Sequence, residues 1–304
     1  MGISQYIKEI GRGKDGARSL TRVQAADLFA QVLDRTVTDL EVGGFCLAMR
    51  IKGETPQEMA GFLDATGQRL HLVPATTAPV VVLPSYNGAR KLPGLLPLLA
   101  LLLAREGLSV LIHGAATESS RVYTSDVLLA LDIPVQSAIE PIAARQVMFT
   151  PTALLCPGLQ GLLDVRRVVG LRNPAHSLVK LMNPVAGKSL LVSSYTHPEY
   201  AQSMAQTFAL LQSNALLLRG TEGEPVADAR RTPQMNGYIK GQRVELQPAQ
   251  TGSLTELPDL PRTTDAKSTA HYIRQVMAGD MPVPEPIACQ MAHILQLLNG
   301  LSSA

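Results

Sequence analysis

Apolar residues in the first 70 positions recur at spacings of three and four, which places them on one face of a helix. Three threonines mark helix starts, because each precedes a Gln or Glu by three positions, the spacing of a capping box. The pairs are Thr21 with Gln24, Thr38 with Glu41, and Thr55 with Glu58. The pattern predicts a small helical domain over residues 1–72. Part of residues 135–165 is expected to belong to the same domain.

From about residue 78 onward, short apolar runs alternate with turn-forming loops and with helical segments. The predicted strands are residues 78–83, 109–113, 189–194 and 215–219. The predicted helices are residues 95–103, 125–131 (with Ser125 as N-cap), 199–212, 267–278 and 286–298. Alternation of strand and helix is typical of an α/β domain with a mostly parallel sheet, which we place at residues 73–304.

Composition and charge narrow the functional classes. The 304 residues carry 27 Lys and Arg against 25 Asp and Glu, a formal net charge of +2, so a nucleic-acid-binding surface requires local clustering of cations. Aromatic residues make up 4% of the chain, which argues against base stacking as the main mode of binding. The three cysteines are too widely spaced to indicate a zinc site. No apolar run approaches the roughly 20 residues of a membrane span, and no signal peptide is visible, so we expect a cytoplasmic protein without a membrane partner.

Basic residues cluster in two parts of the chain. Residues 165–198 contain five Lys and Arg and no acidic residue, and residues 8–22 contain five against two acids. We predict that a basic face binds the phosphates of DNA or RNA. The candidate nucleic-acid-binding residues are Arg90, Lys91, Arg166, Arg167, Arg172, Lys180, Lys188, Arg230 and Arg231. The alternative is that these cations are scattered over the surface and simply solvated.

Three loops follow predicted strands, at the edge where open α/β sheets bind ligands. The phosphate-binding candidates in the first two loops are Ser85, Asn87, Gly88, Ser119 and Arg121. The third loop carries three acids, Glu222, Glu224 and Asp228. Their spacing matches no magnesium site, and two neighbouring arginines would compete for them, so we predict no metal and no cofactor. No nucleophile–base motif is present, so we predict no catalytic residue.

Residues 39–61, and above all the segment MRIKGET at residues 49–55, resemble the helical domain of the anthranilate phosphoribosyltransferase family. The resemblance extends from about Leu20 to Gly241. It implies a nucleoside phosphorylase/phosphoribosyltransferase-like fold, in which a helical domain pairs into a homodimer. The active site of the family lies in the cleft between that domain and an α/β domain.

The residues that carry the family's chemistry are replaced in this chain. The family's Gly-Thr-Gly-Gly-Asp loop, which binds phosphoribosyl diphosphate, is matched by Leu-Pro-Ser-Tyr-Asn at residues 83–87. The family's paired Asp-Glu, which holds magnesium, falls at about Pro225 and Val226, and neither side chain ligates a metal. The Asn of the family's Lys-His-Gly-Asn motif is matched by Ala115, whereas its anthranilate-binding arginine is matched by Arg172. The resemblance therefore implies the fold more than the activity.

Residues 84–91 and 219–231 are similar to the YbiB-type branch of this family, which implies a homodimer that lacks the tryptophan-pathway activity and binds nucleic acid without sequence preference. Two functional hypotheses follow. The first is a homodimer that binds DNA or RNA and has no catalytic residues; the missing acidic pair favours it. The alternative is a glycosyltransferase or phosphoribosyltransferase that acts on another sugar phosphate; the low net charge favours it. Its remodelled pocket would contain Ser85, Asn87, Ser119, Arg121 and Arg172.

Overall fold

A computed structural model describes residues 2–13, 15–74, 78–254 and 257–302. Its helices are α1 (Ser4–Ile10), α2 (Arg22–Leu33), α3 (Asp39–Lys52), α4 (Pro56–Gly67), α5 (Leu96–Arg105), α6 (Thr124–Ala130), α7 (Thr152–Leu155), α8 (Pro157–Val169), α9 (Ala175–Leu178), α10 (Pro198–Leu211), α11 (Ala266–Ala278) and α12 (Glu285–Ser302). Its strands are β1 (Val73–Pro74), β2 (Val80–Ser85), β3 (Ser109–Gly114), β4 (Val147–Pro151), β5 (Val185–Ala186), β6 (Ser189–Tyr195), β7 (Ala215–Arg219), β8 (Met235–Ile239) and β9 (Gln242–Gln247).

The predicted capping boxes at the starts of α2, α3 and α4 are confirmed. In each, the threonine hydroxyl accepts a hydrogen bond from the backbone N–H three residues on, at 3.3 Å. Phe29, Phe45 and Phe62 form the centre of this helical domain, with ring centroids 4.6–6.2 Å apart. Local capping therefore fixes where the helices begin, and the buried aromatic cluster fixes how they pack.

Helix α8 also packs against the helical domain, although the sequence did not predict it as a helix. It contacts α2 at Gly158, where a Cβ atom would lie 2.2 Å from the carbonyl oxygen of Leu33. That approach leaves no room for a side chain, so only glycine fits at this position. The contact brings the chain that follows β4 back against the N-terminal helices.

The described residues form a seven-stranded central sheet in the order β4-β3-β2-β6-β7-β8-β9. The strands from β4 to β7 are parallel, and β8 and β9 continue the sheet antiparallel. Strand β2 is buried on both faces: Val80 and Val82 belong to the core shared with the helical domain, and Val81 and Leu83 belong to the core on the other face. The predicted fold, a small helical domain plus an α/β domain with a mostly parallel sheet, is confirmed.

The leucine-rich helix α5 is part of the core on that second face. Leu96, Leu98, Leu99, Leu102 and Leu103 are all fully buried, and the helix has only ten residues. Among the described residues, no helix combines the length and the apolar character needed to cross a bilayer. The hydrophobicity of this segment is therefore explained by core packing.

Some predicted boundaries were wrong. Helix α6 begins at Thr124, and its N-cap is Tyr123 rather than Ser125, because the Asp126 carboxylate accepts the Tyr123 backbone N–H at 2.8 Å. The strand predicted from residue 78 begins at Val80. Strand β4 and the β8–β9 hairpin were missed. The hairpin shows no apolar alternation, because β9 is an edge strand whose residues are all at least partly exposed.

Candidate functional site

The sheet has a topological switch point between β2 and β6. From β2 the chain continues to β3 and β4 on one side, and then returns to β6 on the other side of β2. In open α/β folds the crevice beyond the carboxyl ends of two such strands is the usual ligand site. Residues 86–92 follow β2 at this crevice, and the turn at residues 220–224 follows β7.

The loop after β2 is occupied by the carboxylate of Glu224. Its Oε1 accepts hydrogen bonds from the backbone N–H groups of Tyr86, Asn87 and Gly88 at 3.1, 2.6 and 3.0 Å. Its Oε2 accepts a hydrogen bond from the Ser85 hydroxyl. Glu224 is only 4% exposed. An internal carboxylate therefore takes the donors that a bound phosphate would otherwise use.

The turn that carries Glu224 is held in place by other side chains. The Gly223 carbonyl accepts from Lys180 Nζ at 3.0 Å and from the Ser194 hydroxyl at 2.7 Å. Asn87 Nδ2 donates to the Glu222 carbonyl at 3.0 Å. Gly223 has φ +88°, and a Cβ there would lie 1.8 Å from Asn87 Nδ2, so the turn requires glycine. Burial lowers the pKa of Lys180 to about 8. Lys180 was predicted to bind nucleic acid, but its ammonium group binds the turn of its own chain.

The second acid of the turn, Glu222, caps the next part of the same loop. Its carboxylate accepts from the backbone N–H groups of Arg90, Lys91 and Leu92 at 2.7, 3.1 and 3.4 Å. The third acid, Asp228, pairs with Arg230 at 2.7 Å. In the parts of the chain that the structure describes, no three His, Cys, Asp or Glu side chains are grouped so as to hold a metal ion. The acids of this loop thus bind protein groups.

His113, at the end of β3, is a buried structural residue. Its Nδ1 lies 2.8 Å from the Tyr86 hydroxyl and its Nε2 lies 3.2 Å from the Met182 carbonyl oxygen. Burial lowers its pKa to about 3, so the ring is neutral at physiological pH. With both ring nitrogens engaged by the protein, His113 has no free atom to offer a substrate.

Three arginines surround the carboxylate of Glu118. Arg166, Arg172 and Arg121 place guanidinium nitrogens 2.7, 3.3 and 3.5 Å from its oxygens. Burial alone would raise the pKa of Glu118, but Arg166 and the other two guanidinium groups lower it to about 2. The structure therefore brings Arg121, Arg166 and Arg172 together, as an arginine cluster with one internal counterion.

Two further candidates lie beside this arginine cluster. Arg121 Nη1 donates to the Gly88 carbonyl at 3.4 Å, which links the cluster to the loop after β2. Arg167 is exposed, and with Ser119 it lines a surface cavity of about 780 Å³ that Glu118 and Arg121 of the cluster also line. We call the hydrogen-bond donors around the Glu224 carboxylate the cradle. Ser85, Asn87 and Gly88 belong to the cradle, and Ser119 does not.

A large groove of about 1410 Å³ lies beside the 220–224 turn, between α10 and the β7–β9 part of the sheet. Its cationic lining residues are Lys91, Arg219, Arg230, Arg231 and Arg243. Glu222 and Asp228 are its acidic lining residues, which leaves the groove with an excess of positive charge. The sequence missed Arg219 and Arg243. Arg219 is isolated from the other cations in the chain, and Arg243 lies on the strand β9, which was not predicted.

Lys188 does not line this groove and lies at the opposite end of β6 from the 220–224 turn. It precedes β6, and its carbonyl accepts from the N–H of Val80, the first residue of β2. Strand β6 has seven residues and is therefore about 20 Å long, and its far end, Tyr195, lines the groove. The structure therefore separates Lys188 from the other candidates.

The N-terminal basic cluster is largely neutralised by neighbours. Arg12 lies 2.6 Å and Arg18 lies 3.7 Å from the Glu9 carboxylate. Arg22 lies 2.6 Å from Asp64. Lys14, which belongs to this cluster in the sequence, lies outside the described residues. Two of the five groove cations are also paired, Arg230 with Asp228 and Arg243 with Glu245. The groove is still the stronger candidate surface, because its five cations line one cavity.

Comparison with known proteins places the chain in a family. Residues 4–67 match the family model described as "Glycosyl transferase family, helical bundle domain". The chain is 41% identical over 303 residues to the uncharacterized protein YbiB of Escherichia coli (strain K12), covering 97% of this chain and 94% of YbiB. The chain belongs to the anthranilate phosphoribosyltransferase-like family. The membership that the MRIKGET segment indicated is therefore confirmed.

Enzymes of this family share the fold at lower identity. The anthranilate phosphoribosyltransferase of Salinispora arenicola (strain CNS-205) is 27% identical, covering 96% of this chain and 84% of the enzyme. The solved structure of the Thermus thermophilus enzyme gives a TM-score of 0.72 at 21% identity, covering 94% of this chain and 85% of that one. The structure of the Saccharomyces cerevisiae enzyme in complex with PRPP and Mg gives a TM-score of 0.70 at 15% identity. The match covers 98% of this chain and 89% of the yeast enzyme. These two structures show a common architecture.

Proposed function

We propose that this protein is a homodimer that binds DNA or RNA without sequence preference, on a transferase scaffold whose phosphate cradle is filled by its own Glu224. The observation that carries the binding proposal is the groove beside the 220–224 turn. Five cations line it, and its carboxylates are already engaged: Glu222 accepts backbone N–H groups, and Asp228 pairs with Arg230. A cationic groove tracks a phosphate backbone without reading bases, which is the basis of sequence-independent binding.

The arginine cluster around Glu118 supports the same function. It supplies three guanidinium groups against one carboxylate. The exposed Arg167, which pairs with Asp164 at 3.5 Å, lines the cavity beside it. In a homodimer each positive surface occurs twice. Attachment at two such surfaces raises the overall affinity without new contacts, so the modest net charge of one chain is sufficient.

The binding proposal is tested by fluorescence anisotropy with labelled single-stranded DNA, duplex DNA and RNA over a series of salt concentrations. With about four phosphates neutralised per site, the slope of log affinity against log salt is expected to be roughly −3 to −4. Shuffled sequences of equal length are expected to bind equally, because the contacts are to phosphates. Failure to bind any oligonucleotide at low salt would end the proposal, and competition by free phosphoribosyl diphosphate would favour the sugar-phosphate alternative.

The filled cradle also predicts the absence of anthranilate phosphoribosyltransferase activity. That reaction requires a bound diphosphate leaving group, and here Glu224 occupies the backbone N–H groups that follow β2. A carboxylate already in the site repels an incoming diphosphate. We expect the purified protein to form no phosphoribosyl anthranilate from anthranilate, phosphoribosyl diphosphate and magnesium. Turnover above that of a buffer control would show that the cradle opens.

A further inference from the structure

The groove contains a backbone anion site that is filled by one of the chain's own side chains. Three consecutive N–H groups, those of residues 90–92, converge on the Glu222 carboxylate at 2.7–3.4 Å. Successive N–H groups that point at one anion form a nest, a geometry that also binds phosphate oxygens. The side chains of Lys91 and Arg230 line the same groove. The pKa of Arg230 is raised first by its hydrogen bond to Asp228 and, to a smaller extent, by the charge of Glu222.

Glu222 differs from Glu224 in being accessible. It is partly exposed and lines the groove, whereas Glu224 is buried. Its backbone has φ +52°, a conformation that is strained for a residue with a side chain. A ligand in the groove can therefore reach the carboxylate and the N–H groups that hold it.

The turn does not depend on the Glu222 side chain for its position. Its carbonyl groups are bound by Asn87, Lys180 and Ser194, and the Glu224 carboxylate anchors its other end to the loop after β2. The Glu222 carboxylate can therefore rotate away while the backbone of the turn stays in place. The nest at residues 90–92 is then open to the groove.

We infer that the nest at residues 90–92 is a phosphate-binding site and that Glu222 is its displaceable occupant in the unbound protein. The inference rests on the proposed function, because the phosphate that enters is one of the phosphates of a nucleic acid in the groove. On binding, a phosphate oxygen accepts the N–H groups of residues 90–92, and the Glu222 carboxylate moves into solvent. Glu222 thus competes with the bound strand for these N–H groups and lowers the affinity of the protein for nucleic acid.

Two substitutions at the same position separate the nest from the simple loss of charge. Both Glu222→Gln and Glu222→Ala remove one negative charge from the groove. Glutamine keeps a carbonyl oxygen that accepts the N–H groups of residues 90–92, whereas alanine leaves them free. The difference in affinity between these two variants therefore reports the effect of freeing the nest, separately from the loss of charge.

We expect Glu222→Gln to bind single-stranded DNA about threefold more tightly than the wild type, through the charge effect. We expect Glu222→Ala to bind about tenfold more tightly than Glu222→Gln, because hydrogen bonds to a charged phosphate add to the charge effect. The salt slope of Glu222→Ala should be steeper than that of the glutamine variant by about 0.7, the value for one additional phosphate of a single strand. By calorimetry, inorganic pyrophosphate should bind Glu222→Ala and not Glu222→Gln.

Equal affinities and equal salt slopes for the two variants, with no binding of pyrophosphate to Glu222→Ala, would overturn the inference. If the wild type binds no oligonucleotide but Glu222→Ala still binds pyrophosphate, the phosphate nest stands and the proposed function fails. Thermal unfolding of each variant establishes that it is folded. Glu222→Gly provides a second open-nest variant that fits the positive φ without strain, and it is expected to behave as Glu222→Ala does.

Discussion

Replacing Glu224 by alanine is expected to lower the free energy of unfolding by about 3–5 kcal/mol, because buried hydrogen-bond donors lose their acceptor. The donors are the backbone N–H groups of residues 86–88 and the Ser85 hydroxyl, all at the buried end of β2. Urea unfolding followed by circular dichroism measures the change through the shift of the midpoint at an unchanged slope.

Glu224→Gln is the matched control for this prediction. The carbonyl oxygen of glutamine still accepts hydrogen bonds from the backbone N–H groups. Glu224→Gln is therefore expected to lower the free energy of unfolding by only about 1–2 kcal/mol, because the hydrogen bonds lose their charged acceptor. A Glu224→Ala protein within about 1 kcal/mol of the wild type would mean that water satisfies the loop, and that the cradle is not held by this carboxylate.

Replacing Leu47 and Ile51 together by glutamate is expected to convert the proposed dimer into monomers, with a dissociation constant raised at least about a hundredfold. Leu40, Leu47 and Ile51 lie on one face of α3 and are 86%, 43% and 68% exposed. A contiguous exposed apolar face on a small domain is typical of an interface, and two charges buried there oppose association. Since these side chains are already exposed in the single chain, the fold itself should be unaffected.

Multi-angle light scattering measures this change directly. The control is the double substitution Val168→Glu and Leu171→Glu, which alters two other exposed apolar residues, 90% and 45% exposed, near the end of α8. We expect the control to remain dimeric. A monomeric wild type at micromolar concentration, or a dimeric Leu47→Glu, Ile51→Glu variant, would contradict the assignment of α3 to the interface.

The elements that could be predicted from the sequence are those whose signals are local or continuous. Each capping box is contained in four residues, so α2, α3 and α4 were placed correctly. Strand β2 is buried on both faces and therefore reads as an unbroken apolar run. Strand β9 is exposed at the edge of the sheet, and its polar sequence carries neither signal.

The site was harder to predict because its decisive contacts are distant in sequence. Asn87 and Glu224 are 137 positions apart, and no spacing rule joins them. The acids of the 220–224 turn are visible in the sequence, but magnesium binding was the only role considered for them. Their hydrogen bonds to the backbone of a distant loop could not be predicted. Similarly, residues 165–198 form one basic run in the sequence, yet Arg166 joins the arginine cluster and Lys188 lies at the opposite end of β6 from the 220–224 turn.

We propose that the groove between α10 and the β7–β9 part of the sheet binds nucleic acid through its charges, and one equilibrium measurement tests this proposal. The affinity for single-stranded DNA is measured over a salt series for the wild type and for the double variant Arg219→Glu, Arg243→Glu, which alters two groove residues. The control is Lys188→Glu, Arg105→Glu, an equal charge change at two residues that do not line the groove, one just before β6 and one at the end of α5. We expect the groove variant to bind about a hundredfold more weakly at low salt, with a slope shallower by about 1.4, and the control to change the affinity less than about threefold. Equal loss of affinity in both variants, or no loss in the groove variant, would show that the groove is not the nucleic-acid-binding surface.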